Sequence, residues 1–401
     1  MRTADLALQR NKYKHLSDDE WRWLLQQTEG RERTADKLPT FAAMKDWWYP
    51  VRLSCEQCSS EATARYKKSI VESLALIGKR RFADLTGGYG VDTYFLSDIF
   101  AHTDYVEQND ELCRIAEHNL KGPLTTSQKG KEISIHDCTA DEFLQTARQC
   151  DLMFADPARR DNHGGKVFRL ADCTPDVTTL LPTLLTHLNS GGHIMLKLSP
   201  MLDISQAQKE LQAAIEPSRE ERIAWEAHVV AVKNEVKEVL LTGRKTKSGS
   251  HELTITAIDL AEPEKAFVFT REDEQEARSA LCHPALERGY FLYEPNAAIL
   301  KSGAYKLAGE RFGLQKLDIS THLYTSERPV YDFPGRIWRI ETIFPLATGQ
   351  KITQANIITR NYPLTPDQVK KKLKIRDGGE DYIIGCRVNG KPALLHTKRI
   401  Q

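Results

Sequence analysis

Apolar positions recur at helical spacing through residues 1 to about 78. Ser17-Asp18-Asp19-Glu20 has the form of a capping box ahead of Trp21, Trp23, Leu24 and Leu25, which predicts a helix there. A second helix is expected from about Ser59-Ser60-Glu61, turning Ala64, Ile70, Val71 and Leu74 inward. Between them lies an aromatic stretch, Trp47, Trp48, Tyr49 and Pro50, which is expected to pack down.

From Arg80 to about Leu260 the period changes. Short apolar runs at Phe82–Leu85, Tyr105–Glu107, Ile133–His136, Leu152–Ala155 and Ile194–Leu198 alternate with helical patterns. This alternation predicts an α/β fold, a Rossmann-like parallel sheet covered on both faces. Three strand patterns then follow without a helix of any length: Trp225–Val232, Val236–Leu241 and Leu253–Ile258. They predict an antiparallel edge. The acidic run Glu272-Asp273-Glu274-Gln275-Glu276 marks a boundary or an exposed helix start. Beyond it, Tyr290–Tyr293, a helix from Asn296 to about Arg311, and Leu317–Tyr324 predict a β-α-β unit. Pro334-Gly335 is a turn, followed by a strand at Arg336–Ile343. Thr365-Pro366-Asp367-Gln368 opens a capped helix, and Tyr382–Val388 with Ala393–Lys398 form a hairpin turned at Asn389-Gly390. The expected organisation is a helical region at 1–78, the main sheet domain at 79–270, and small α+β modules at 276–330 and 331–401.

A chain of 401 residues exceeds what one core organises, in keeping with two to four domains. No run of about 18 apolar residues occurs, and Met1-Arg2-Thr3-Ala4-Asp5 lacks a secretory signal, so a cytoplasmic location is expected. Eight scattered cysteines are expected to be reduced thiols, including the Cys55-Glu56-Gln57-Cys58 pair, whose zinc spacing has no second half. Net charge is only +1, yet residues 361–401 carry nine Lys or Arg against four acids. That excess suggests a polyanion contact, and a solvated helix face at Lys370, Lys371 and Lys372 accounts for it about equally well.

The candidate chemistry sits where the first strand runs into Asp84-Leu85-Thr86-Gly87-Gly88-Tyr89-Gly90. Glycines at the carboxyl end of a strand let the backbone turn sharply and lie against a ligand. The second strand ends at Glu107, placed to accept hydrogen bonds from both hydroxyls of a ribose. A dinucleotide loop would continue to a third glycine, but Val91, Asp92 and Thr93 follow instead. Asp84 and Asp92 flank the loop and would repel a pyrophosphate, although Asp92 is also placed to cap the following helix. A ligand bearing an ammonium and a sulfonium suits them: S-adenosylmethionine (SAM). Asp137 and Cys138 close the third strand and could face an adenine. Asp156-Pro157-Ala158-Arg159 follows the fourth strand, so Asp84, Glu107, Asp137 and Asp156 should converge at the carboxyl strand ends. His136 and His193 fit core or rim positions better than catalytic ones.

This order of loop, ribose acid, adenine acid and Asp-Pro resembles the class I SAM-dependent methyltransferases. The Asp-Leu-Thr-Gly-Gly-Tyr-Gly form, with the tail from Arg360-Asn361-Tyr362-Pro363-Leu364 to Gly378-Gly379, resembles one bacterial branch that carries a ferredoxin-like module and a C-terminal THUMP-like domain. THUMP domains in related enzymes bind RNA. The resemblance implies that Asp84 sits near the methionine ammonium, that Thr86, Gly87, Gly88 and Gly90 wrap methionine and ribose, that Glu107 holds the ribose, and that Asp137 and Cys138 face adenine. Asp156, Pro157 and Arg159 would border the reacting group, and Ser60, with Glu61, would start a helix touching the methionine end. Amino-group methyltransferases of this kind usually continue the Asp-Pro with a second proline and an aromatic; here Ala158 and Arg159 stand instead, and Arg159 with Arg160 could stack on a base or grip a phosphate. The resulting expectation is methyl transfer from SAM to RNA. A protein or small molecule as acceptor, and SAM-dependent RNA binding without catalysis, are the alternatives.

Overall fold

A computed structural model describes residues 3–74, 76, 78, 80–122, 131–159, 169–215, 222–246, 252–282, 286–346 and 352–401. They form two compact units, Met1–Trp225 with Val239–His251, and Glu226–Glu238 with Glu252–Gln401.

In the first unit, after short helical turns at Thr3–Ala7 and Arg10–Tyr13, comes helix α1 (Asp18–Thr34), capped by Ser17 with Glu20 reaching back to close the box. Helices α2 (Arg52–Gln57) and α3 (Glu61–Ser73) follow, the latter capped by the Ser60 hydroxyl. The aromatic stretch packs down as expected. Phe41, Trp47 and Tyr49 are buried, the first two stacked at 4.0 Å, and the Trp47 indole donates to the Tyr89 hydroxyl at 2.8 Å.

Strands β1 (Arg81–Asp84), β2 (His102–Glu107), β3 (Glu132–Asp137) and β4 (Cys150–Ala155) come next. Between them lie α4 (Val91–Ser97), α5 (Asp110–Ala116) and α6 (Ala140–Leu144). A short pair, β5 (Ala158–Arg159) and β6 (Cys173–Thr174), precedes α7 (Val177–Thr186) and β7 (Leu188–Leu198). The order β7-β4-β1-β2-β3 is wholly parallel. β4 is buried along its whole length, as a strand covered on both faces must be. The order turns outward in both directions from β1 and β4, and in such sheets the crevice above that switch point takes the ligand.

The chain passes between units within β8 (Arg222–Val232) and β9 (Glu235–Thr246). Val239–Arg244 of β9 pairs antiparallel with β7, as expected for an edge. In the second unit, β10 (Thr254–Asp259) runs parallel to β8, not antiparallel. The reason is geometric: β9 reverses the chain, and β10 reverses it again before adding to the other side of β8. β11 (Phe267–Thr270) completes this edge antiparallel to β10, and the acidic run forms helix α8 (Arg271–Glu276), capped by Thr270.

The rest of the second unit is a seven-stranded sheet in the order Gln315–Asp318, Thr321–Ser326, Phe291–Pro295, Gly335–Phe344, Lys391–Arg399, Asp381–Val388 and Asn356–Thr359. β12 is Phe291–Pro295. The single helix expected to about Arg311 is two, α9 (Ala297–Ser302) and α10 (Leu307–Arg311), because Gly303 turns left-handed (φ 84°) and ends the first. The expected strand Leu317–Tyr324 is a hairpin, β13 (Gln315–Asp318) and β14 (Thr321–Ser326), so β14 meets β12 antiparallel and no β-α-β unit forms. β15 (Gly335–Phe344), β16 (Asn356–Thr359) and α11 (Pro366–Leu373), capped by Thr365 and Gln368, lead to the hairpin β17 (Asp381–Val388) and β18 (Lys391–Arg399). Its turn residues Asn389 and Gly390 both have positive φ, as a two-residue hairpin turn requires. Among the described residues no helix is long and apolar enough to cross a membrane.

Candidate functional site

The glycine loop is held from both neighbouring strands. The Leu85 amide donates to the Phe154 carbonyl of β4, and the Gly87 amide to the Val106 carbonyl of β2. Gly87 lies flat against the Tyr105 ring; a Cβ there would come within 2.2 Å of it. The Tyr105 hydroxyl in turn donates to the Gly88 carbonyl at 2.6 Å. Gly88 (φ 54°) presents its amide to Glu107 Oε2 at 2.9 Å, while Glu107 Oε1 accepts from the Asn109 amide at 2.9 Å. The glycine loop and Glu107 are therefore one bonded unit.

Beside them opens a cleft of about 430 Å³, within the range of small-molecule sites. Thr86, Gly88, Glu107, Cys138 and Asp156 line it together. Leu85, Val106 and Ala140 give it apolar wall, and Ser54, Gln57 and Cys58 from α2 and its end close one side. Thr174, Pro175, Asp176 and Thr179 close another. Its charged lining is acidic: Glu107, Asp141, Asp156 and Asp176, with no lysine or arginine among the described lining residues. Such a cleft favours a cation and disfavours a pyrophosphate held within it.

Other expected residues have different places. Gly87, Gly90 and Pro157 are buried beneath the lining. Asp137 is exposed at the end of β3, and it is Cys138, Thr139, Ala140 and Asp141 that reach the cleft. Ser60 is not in the lining; it caps α3. The Arg159 side chain and Arg160 lie outside the described residues.

The two acids that flank the loop are spent internally. Asp84 is buried, accepting from the Thr93 hydroxyl at 2.6 Å and the Thr86 amide at 3.1 Å. Burial pushes its carboxyl up to about 7. Asp92 does not cap α4, whose cap is Gly90. It accepts from the Ser59 hydroxyl at 2.6 Å and pairs at 3.1 Å with Lys67, a lysine with no exposed surface at all. Burial would raise the Asp92 carboxyl, but Lys67 and Lys197 outweigh it and hold the group below the usual range. The cleft's negative character therefore comes from Glu107, Asp141, Asp156 and Asp176 rather than from Asp84 and Asp92.

Asp156 is fixed at both ends. Its amide donates to Thr86 Oγ1 at 2.7 Å, and its Oδ2 is paired with the Lys197 ammonium. Lys197 is absent from the residues that the sequence motifs point to, though a lone charge between Leu196 and Leu198 at the end of an apolar strand is a readable signal. Cys55 is a buried free thiol that burial pushes up to about 12, which makes it inert. No group of three or more His, Cys, Asp or Glu suited to a metal occurs among the described residues.

Residues 291–334 match the family described as a ferredoxin-like domain, and residues 335–399 match the family described as THUMP domain-like. A solved structure from Porphyromonas gingivalis W83, described as a candidate methyltransferase, is 31% identical and superposes with a TM-score of 0.82, covering 96% of this chain and 92% of that one. An uncharacterized S-adenosylmethionine-dependent methyltransferase of Mycobacterium tuberculosis is 22% identical over 390 residues, 94% of this chain and 95% of its own.

Proposed function

The chain belongs to the SAM-dependent methyltransferases, in the branch with a ferredoxin-like and a THUMP-like module, and from that premise we propose that it methylates RNA at the Asp156 end of the cleft. Bound SAM supplies a methyl group already activated on a sulfonium. The protein's task is then to hold, align and exclude water, and alignment alone is worth up to about 7–11 kcal/mol of a barrier. Glu107 is the acceptor for the ribose hydroxyls, and the bare Cα of Gly88 lets the main chain approach the ligand. Cys138 and Ala140 provide the wall for the adenine, and the acidic lining favours the sulfonium and ammonium. Asp156 orients the nucleophile and holds its proton as it leaves.

The observation that carries this reading is the cleft itself: a ribose acid bonded to an open glycine loop, in an acidic lining without a described cation. RNA as the acceptor rests on the THUMP-like tail and its exposed Lys371, Lys372, Lys374 and Arg376. Incubation with tritiated SAM and total RNA, with protein extract in parallel, tests it. Label in the RNA fraction is expected; label confined to protein would overturn the RNA acceptor and leave the methyltransferase.

A further inference from the structure

Lys197 lies at the carboxyl end of β7, one strand over from Asp156, and its side chain is only 12% exposed. It contacts Asp156 Oδ2. Among the described residues the other oxygen, Oδ1, has no hydrogen-bond partner, and Asp156 lines the cleft. An exocyclic amine carries two N–H donors, and orienting its lone pair toward a methyl group calls for two acceptors. A hydroxyl carries one donor and needs one. The carboxylate of Asp156, with Oδ2 turned to a cation, offers its remaining oxygen to a single donor, as a hydroxyl needs.

Charge points the same way. A neutral amine becomes cationic as it attacks, and a poorly solvated ammonium held behind Asp156 raises that barrier. A hydroxyl oxygen loses its proton and gains negative character, which the same ammonium stabilises.

We propose that the methyl acceptor is a hydroxyl oxygen held by Asp156 and stabilised by Lys197, and, resting on the RNA reading above, that it is the ribose 2′-hydroxyl, the one hydroxyl class inside an RNA chain. The O–CH3 bond forms as the S–CH3 bond breaks, and the electron pair of the latter stays on sulfur. The hydroxyl proton passes to Asp156 Oδ1 and then to solvent.

RNA labelled with tritiated SAM and digested in alkali tests this, because a 2′-O-methyl group blocks cleavage of the next phosphodiester. Label in alkali-resistant dinucleotides is expected. Label in mononucleotides means base methylation and overturns the proposal. If RNA takes no label but another fraction does, the RNA reading fails, and the hydroxyl assignment stands on a methyl ether or falls on an N-methyl product. An enzyme inert on every fraction overturns both. Lys197→Met should cut transfer about 100-fold or more with the SAM Kd within twofold of wild type, and Lys197→Arg should recover part of it. Full activity in Lys197→Met would remove the lysine from the mechanism.

Discussion

Replacing Lys67 should expose how far the site depends on a charge pair set outside the sheet. The Lys67 ammonium is wholly buried, 3.1 Å from an Asp92 that is 9% exposed. Lys67→Met removes the cation and leaves the carboxylate, and breaking a buried pair from one side costs about 3–5 kcal/mol. For a unit of this size that corresponds to a Tm lower by roughly 6–20 °C. Lys67→Met with Asp92→Asn removes both charges and keeps a polar partner for the Ser59 hydroxyl, so the double variant should regain about 2–3 kcal/mol relative to the sum of the singles. The pH dependence should also change sign. In the wild type, Asp92 is held below its ordinary value, so its stabilisation is present above about pH 4 and is lost as pH falls through the folded value. In Lys67→Met, burial loses its strongest opponent, so the folded value should rise above the unfolded one and stability should be lost as pH rises. Urea melts of the four proteins between pH 4 and 8 measure this. A single-variant cost under about 1 kcal/mol, or a double variant equal to the sum of the singles, would refute the pairing.

Glu107→Ala should weaken SAM binding by roughly 10–150-fold, the worth of about 1.5–3 kcal/mol for hydrogen bonds to a charged acceptor, as read by calorimetry; unchanged affinity would remove its ribose role. Asp156→Ala should spare SAM affinity relative to turnover, and equal loss of both would make it a cofactor ligand only. Neutralising Lys371, Lys372, Lys374 and Arg376 should flatten the salt dependence of RNA affinity by about 0.7 in log–log slope for each phosphate the tail no longer neutralises; an unchanged slope would leave these residues as a solvated face.

The glycine loop and Glu107 are legible in sequence because each follows directly from a strand end, where apolar residues give way to Gly or an acid within a few positions. The capped helices α1 and α11 are legible for the same local reason. What escapes a linear reading is long-range pairing. Asp92 has the local signature of a cap, but its partners Ser59 and Lys67 come from a different segment. Lys197 gains its meaning only when β7 is laid beside β4 and brings it to Asp156. The direction of β10 depends on which side of β8 it joins, which no residue in it encodes. Gly303 does carry a signal, as a left-handed helix end, but a run of helix formers on both sides hides it.

A crystal structure with S-adenosylhomocysteine bound tests the central claim most directly. The ribose hydroxyls should lie on the Glu107 carboxylate, the adenine against Cys138 and Ala140, and the sulfur should face Asp156. A cleft that stays empty at saturating ligand, or that takes a pyrophosphate-bearing molecule in its place, would contradict it.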